Sequence, residues 1–252
     1  MILDEIVASA HRRASELPGS FQTSTHTPLS LKDAIMEKRR AHAHPVIAEL
    51  KFASPSRGVI RQGASPEDVA AELVHGGCCA LSVLTEPEYF SGCSGTIPAI
   101  RDRVTVPILR KDFIVHEQQL DETRALGADA VLLIAGVLGE ETGHFVDETK
   151  KRGLEPLLEV HTRQEARMAV DTGAELIGIN NRDLRTFKTD LSTTRRIAPL
   201  IHQADKTVVS LSGMIWPCDI RFMSHYADGF LIGSSIMSSK NPGKKVEGLV
   251  YA

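Results

Sequence analysis

Eight short apolar runs, each separated from the next by a helix-patterned stretch, constrain this chain more than any other feature. The runs are "VIAELK", "CALSVLT", "VPILRKDF", "DAVLLIA", "EPLLEV", "LIGINN", "TVVSLSG" and "DGFLIG". Between them lie patterns such as "SPEDVAAELVHGG", in which Ser65 predicts an N-cap, Pro66 the first helical position and Gly76 or Gly77 the stop. In "EQQLDETRALGA" and "TRQEARMAVDTGA", Gly127 and Gly173 fall where helices should end. Strands that alternate with helices run parallel, because only a crossover returns the chain in the same direction. Eight such units predict an α/β fold, a (β/α)8 TIM barrel. The alternative is an open doubly wound sheet, which no early GxGxxG turn supports.

Ahead of the first run, residues 1–44 contain "ILDEIVASAHRRASEL" and "LSLKDAIMEKRRA", which read as extra N-terminal helices packed against a barrel spanning 45–252. At 252 residues the whole is expected to form a single domain, since barrels of this kind reach such a length undivided. A formal net charge of -3 argues against a nucleic-acid or membrane partner recognised by bulk charge, and it permits a local basic pocket. The four cysteines, Cys78, Cys79, Cys93 and Cys218, form no CxxC pair, and the N-terminus has no signal-peptide pattern. A reduced, cytoplasmic protein is expected. No apolar run approaches the roughly 20 residues that span a bilayer. His42 and His44 lack a completing ligand, so no metal site is expected.

Charges sit in the odd-numbered runs. Strand side chains alternate, so Ile47, Glu49 and Lys51 share one face, as do Leu109 with Lys111 and Leu157 with Glu159. Barrel interiors are layered by alternate strands, and active sites gather at the C-terminal ends of those strands. Each inward apolar position is thus followed by a charge nearer the mouth. Burying charge is costly unless it is paired or used, and two lysines with two glutamates in one pocket provide acid and base groups without a cofactor. In "GINNRDL", Gly178, Asn180 and Arg182 alternate onto one face, offering an amide for a hydroxyl and a guanidinium for a carboxylate. A capping asparagine and a solvated arginine are the plainer reading of the same pair. Ser54 and Ser56 have no readable base partner and suit ligand contact or turn capping. His161 either lines the mouth or serves its loop.

Runs seven and eight end in "SLSGMI" and "LIGSSIM". Barrels of this class often bind phosphate there, on loop amides, and glycine lets the backbone approach the anion. Ser212, Gly213, Gly233 and Ser234 are the expected phosphate ligands.

Taken in order, "IAELKFASPSRG", "SVLTEPEYFSG", "PILRKDFIVHEQQLDETRALGADAVLLIA", "LLEVHTRQE", "IGINNRDLRTF", "VVSLSGM" and "DGFLIGSSIM" closely resemble the indole-3-glycerol phosphate synthase family. The resemblance runs through essentially the whole barrel. It implies a tryptophan-biosynthesis lyase that closes 1-(2-carboxyphenylamino)-1-deoxyribulose 5-phosphate to indole-3-glycerol phosphate, releasing carbon dioxide and water, with no cofactor or metal. By that resemblance Lys111 is the general acid and Glu159 the general base, while Lys51 assists near the substrate carboxylate, oriented by Glu49. Ser54, Phe113, Asn180 and Arg182 line the anthranilate and hydroxyl sites. The implied partner is a small phosphorylated substrate, and both a monomer and association with other tryptophan-pathway enzymes stay open. Strand seven departs from the pattern: Leu211 stands where the family has a glutamate before Ser-Gly. That change leaves a second reading, a weakened or silent barrel that only binds a phosphorylated ligand. A third is a related phosphate-binding barrel such as an aminoaldose isomerase, from which the LRKDF and LLEVH segments distinguish this chain.

Overall fold

The computed structural model describes residues 2–252 apart from Thr23, residues 55–57, Gln62, Leu184, Arg185 and Phe187, and for Ser54 and Val59 the backbone only. All eight predicted runs become strands: β1 Val46–Leu50, β2 Ala80–Leu84, β3 Ile108–Lys111, β4 Ala130–Ile134, β5 Glu155–Val160, β6 Leu176–Asn180, β7 Thr207–Leu211 and β8 Gly229–Ile232. They pair in parallel, each with its neighbour in sequence, and β8 closes on β1 through Ile47 opposite Leu231. Closure removes the sheet edges that an open doubly wound sheet would keep. A two-residue antiparallel pair, Ala53–Ser54 with Gly58–Val59, follows β1.

Two apolar sets explain why the strands read as apolar on both faces. Val46, Ala48, Leu50, Leu81, Val83, Val131, Leu133, Leu158, Val160, Ile177 and Ile179 pack outward under the helices. Ile47, Leu109, Leu157 and Val209 pack inward and are fully buried. The next inward step on the same four strands carries Glu49, Lys111, Glu159 and Leu211, so the odd-strand reading of the charges holds.

Helix ends follow the sequence signals closely. Ser65 accepts from Asp68 N at 3.3 Å, Pro66 opens that helix, and Gly77 follows its end with φ +92°. Gly127 does the same with φ +84°. Gly173 differs: its helix, Arg163–Val170, already ends at the C-cap Asp171, and Gly173 lacks a positive φ.

The extension forms α1 (Ile2–Ser15) and α2 (Leu31–Arg40). Helix α2 plugs the lower end of the barrel, where Ile35 fills the space left by Gly229 and packs in the inner cluster. Its first amides donate to Glu155 at the start of β5, Leu31 N at 2.5 Å and Lys32 N at 3.1 Å, which satisfies helix donors with an anion. Helix α1 approaches the opposite end, where Arg13 meets Asp112 just beyond β3. His44, expected in a solvated loop, is instead half-buried with its ring edge-on to Phe230 at 6.1 Å, and burial pushes its pKa down.

Candidate active site

A cavity of about 610 Å³ opens at the C-terminal ends of the strands. Among its lining residues are Glu49, Lys51, Lys111, Phe113, Glu159, Asn180, Arg182, Leu211, Ser212, Gly213, Gly233 and Ser234. These are the residues expected from sequence, with one exception. The Ser54 side chain, with Ser56, lies outside what the structure describes.

Strand β1 supplies an ion pair. Lys51 Nζ stands 3.5 Å from Glu49 Oε1, an oxygen that is buried and makes no closer bond. Burial opposes ionisation of Glu49, yet Lys51, Lys111 and Arg182 outweigh it and hold the carboxyl below its ordinary value. For Lys51 the balance runs the same way numerically but favours loss of charge. Burial lowers its pKa first, Lys111 and Arg182 add repulsion, and Glu49 offsets only part of this. Gly233 on the neighbouring strand makes the pair fit: a Cβ there would lie 2.8 Å from Glu49 Cδ.

Across the pocket, Asn180 Nδ2 donates to Glu159 Oε1 at 2.9 Å, and Asn180 Oδ1 accepts from Arg182 N at 3.0 Å. His161 bonds the Arg182 carbonyl through Nε2, a contact that requires the proton on that nitrogen. Its other nitrogen, Nδ1, faces Glu159 Oε1 at 4.0 Å. His161 is not among the residues that line the cavity, so its loop role is the one the structure gives, a brace between β5 and the segment after β6.

The residues on either side of Lys111 are fixed by a polar network. Arg110 and Asp112 point away from the barrel axis and bond each other at 3.2 Å; Asp112 also accepts from Thr85 at 2.7 Å, Phe113 N at 2.8 Å and Arg13 at 3.1 Å. Burial of Asp112 is countered by Arg110 and Arg13, which keep its carboxyl below the usual range.

An apolar side completes the pocket. Leu84, Phe90, Phe113, Leu132, Ile134 and Leu231 line it, with the Phe90 and Phe113 rings 6.3 Å apart and Lys51 Nζ 5.5 Å from the Phe90 centroid. Phe90 was not predicted as a site residue. Its signal was present in "TEPEYFSG", where buried Glu86 caps the turn by accepting from the amides of Glu88, Tyr89 and Phe90. Leu211 joins this dry surface: a Cβ on Gly178 would come within 2.6 Å of Leu211 Cδ1.

The loops after β7 and β8 meet at the other end. Ser212 and Gly213 adopt φ +66° and +94°, a left-handed pair that turns the chain sharply. Asn181 fixes this turn by donating to Ser210 Oγ, Leu211 O and Ser212 O at 2.9–3.1 Å. Ser235 Oγ ties the β8 loop to Met214 O at 3.1 Å.

One group among the described residues has metal-ligand geometry, Glu117, His144 and Glu148 on outer helices. Arg152 already bonds Glu148 at 2.6 Å and Glu117 at 3.5 Å, so a cation is built into that cluster. All four cysteines are free; burial pushes the Cys78 thiol up to about 12 and raises Cys79 too. Among the described residues no helix is long and apolar enough to cross a membrane.

The family model described as Indole-3-glycerol phosphate synthase matches residues 3–249. The chain belongs to the indole-3-glycerol phosphate synthase family. A relative of that name from Carboxydothermus hydrogenoformans is 43% identical over 231 residues, covering 91% of this chain and 88% of the relative. One from Methanocaldococcus jannaschii is 46% identical over 225 residues, covering 88% and 83%. Solved structures share the fold at low identity. A chain from Aquifex aeolicus superposes with a TM-score of 0.66 at 15% identity, over 87% of this chain and 98% of that one. Thiamine phosphate pyrophosphorylase from Pyrococcus furiosus gives 0.58 at 18%, over 82% and 93%.

Proposed function

We propose that this protein is an indole-3-glycerol phosphate synthase, closing 1-(2-carboxyphenylamino)-1-deoxyribulose 5-phosphate to indole-3-glycerol phosphate with loss of carbon dioxide and water. The observation that carries the reading is the joining, in one cavity, of a Lys51/Lys111/Glu159 acid and base set with an apolar wall and small-residue loops. The substrate has the same three parts: a carboxylate-bearing ring, a carbonyl with hydroxyls, and a phosphate.

The ring packs against the apolar wall that Phe90 and Phe113 form together. Lys51 meets the carboxylate, where its charge favours binding; Glu49 orients it at 3.5 Å. Lys111 protonates the carbonyl oxygen as the ring carbon attacks the carbonyl carbon, neutralising charge that would otherwise develop on oxygen. Loss of carbon dioxide restores aromatic electrons to the ring system. Glu159, held by Asn180, then removes the proton whose departure accompanies expulsion of water. Arg182 and Asn180 bind the hydroxyl region, and Ser212, Gly213, Gly233 and Ser234 receive the phosphate. Ser54 stays in the proposal as a ligand contact on the family resemblance alone. The expected partner is this small phosphorylated molecule.

Mixing purified protein with the substrate and following indole fluorescence tests the reading. Product formation abolished by Lys111→Ala supports it. Binding with no indole product at any pH would leave only the silent-barrel reading.

A further inference from the structure

The predicted phosphate ligands Ser212, Gly213, Gly233 and Ser234 carry no charge, and a phosphate dianion held by them alone would remain uncompensated. Lys51, Lys111 and Arg182 belong to the group around Glu49, whose ionisation they favour. Among the described residues one more cation lines the cavity. Lys245, from the helix Pro242–Val250, reaches the loop after β7, where its Nζ donates to Ile215 O at 2.6 Å and lies 4.8 Å from the centroid of the Trp216 ring.

Neither contact neutralises it. A carbonyl and a ring face stabilise an ammonium without a formal negative charge, and no carboxylate of the described residues pairs with Lys245. The ammonium has three donors, one of which goes to Ile215 O. The helix behind it is firmly seated: Asn241 caps it through Lys244 N at 2.9 Å, Gly243 N donates to Glu72 at 3.2 Å, and Val246 and Leu249 are fully buried. Trp216, the single tryptophan of the chain, is 60% exposed at the cavity rim, where burial gives it little reason to be aromatic. Stacking on a cation does. Ser238 and Ser239 line the same cavity, but their hydroxyls already donate to Ser234 O and Asn241 O, which leaves Lys245 to supply the charge.

We propose that Lys245 supplies the positive charge of the phosphate subsite, held ready beside it by the Ile215 carbonyl and the Trp216 ring. The inference rests on the reading that the loops after β7 and β8 take the substrate's phosphate. Lys245 then fixes specificity for a phosphorylated over an unphosphorylated substrate, and Trp216 reports occupancy.

Calorimetric titration with inorganic phosphate, on the full chain and on Lys245→Met and Lys245→Arg, tests this. Removing one charge-assisted bond predicts about tenfold weaker phosphate binding in Lys245→Met, largely recovered in Lys245→Arg. The KM for the phosphorylated substrate should rise more than kcat falls. Trp216 emission should respond to phosphate in the parent and lose that response in Lys245→Met. Equal phosphate affinity in parent and Lys245→Met, or no phosphate binding by the parent, overturns the proposal. A staple that only pins the loop would lower the melting temperature while leaving phosphate affinity alone, and that result also overturns it. If phosphate affinity follows Lys245 but no indole product forms, the synthase reading falls and the subsite stands. Full turnover with unchanged KM in Lys245→Met gives the reverse.

Discussion

Asn180 Nδ2 and Glu159 Oε1 are 2.9 Å apart, joining the ends of β6 and β5 across the pocket floor. The bond fixes the direction of the Glu159 carboxylate, the base of the proposed reaction. Glu159→Gln keeps the shape and removes the base. Turnover should fall by about 10²- to 10⁴-fold, the usual share of a positioned acid or base, with an unchanged circular dichroism spectrum. A variant that keeps half the parent rate would take Glu159 out of the mechanism.

The Glu49–Lys51 pair predicts a particular pH response. Lys51 is already below its ordinary value, first through burial and then through Lys111 and Arg182, and Glu49 is the anion that restrains the fall. Removing that anion in Glu49→Gln must lower the Lys51 pKa further. The alkaline limb of the rate profile should therefore move to lower pH. Stability has its own sign: a lysine with a lowered folded pKa holds fewer protons than the unfolded chain between that value and 10.5, so its contribution to stability rises with pH across that window. Rate profiles and melting curves across alkaline pH check both. An alkaline limb that stays in place would show that Lys51 does not set it.

Arg13 ties the N-terminal helix to the end of β3 through Asp112 at 3.1 Å, one residue beyond Lys111. The guanidinium is largely shielded and the carboxylate fully so, which makes this more than a surface pair. Arg13→Met should cost about 1.5–3 kcal/mol, the range for a hydrogen bond to a charged group, and lower the melting temperature by several degrees. Turnover should drop as well, because Asp112 keeps Arg110 and Thr85 but loses its outer anchor. A thermal melt paired with the indole assay decides; unchanged values in both would confine Arg13 to the surface.

The barrel was legible because strand runs and helix caps recur eight times, so a local error at Gly173 moved one helix end and left the topology intact. The charged layer was legible for a similar reason: period-two alternation puts Glu49, Lys111 and Glu159 on the inner face whatever the loops do. Other parts needed the third dimension. Lys245 and Trp216 are 29 positions apart and meet only when the last helix folds back on the β7 loop. Likewise, nothing in a sequence pairs Arg13 with Asp112, or gives His161 the carbonyl of Arg182, because these contacts join elements with no common periodicity.

Leu211 occupies the fourth place in the layer of Glu49, Lys111 and Glu159, with its side chain over Gly178 and only 1% exposed. This layer thus holds two carboxylates, Glu49 and Glu159, and the pKa of Lys51, lowered first by burial and then by Lys111 and Arg182, is restrained by Glu49. Leu211→Glu loses about 2 kcal/mol of apolar burial and gains a carboxylate among cations, so the two effects oppose each other in stability. Their effects on chemistry do not oppose. A new anion raises the pKa of Lys51, moves the alkaline limb of the rate profile upward, and holds the lysines more firmly, so turnover should increase. Comparing the two forms across pH is the test. If the glutamate form is no faster at any pH, this slot does not limit catalysis, and the leucine serves as a dry wall that the synthase tolerates.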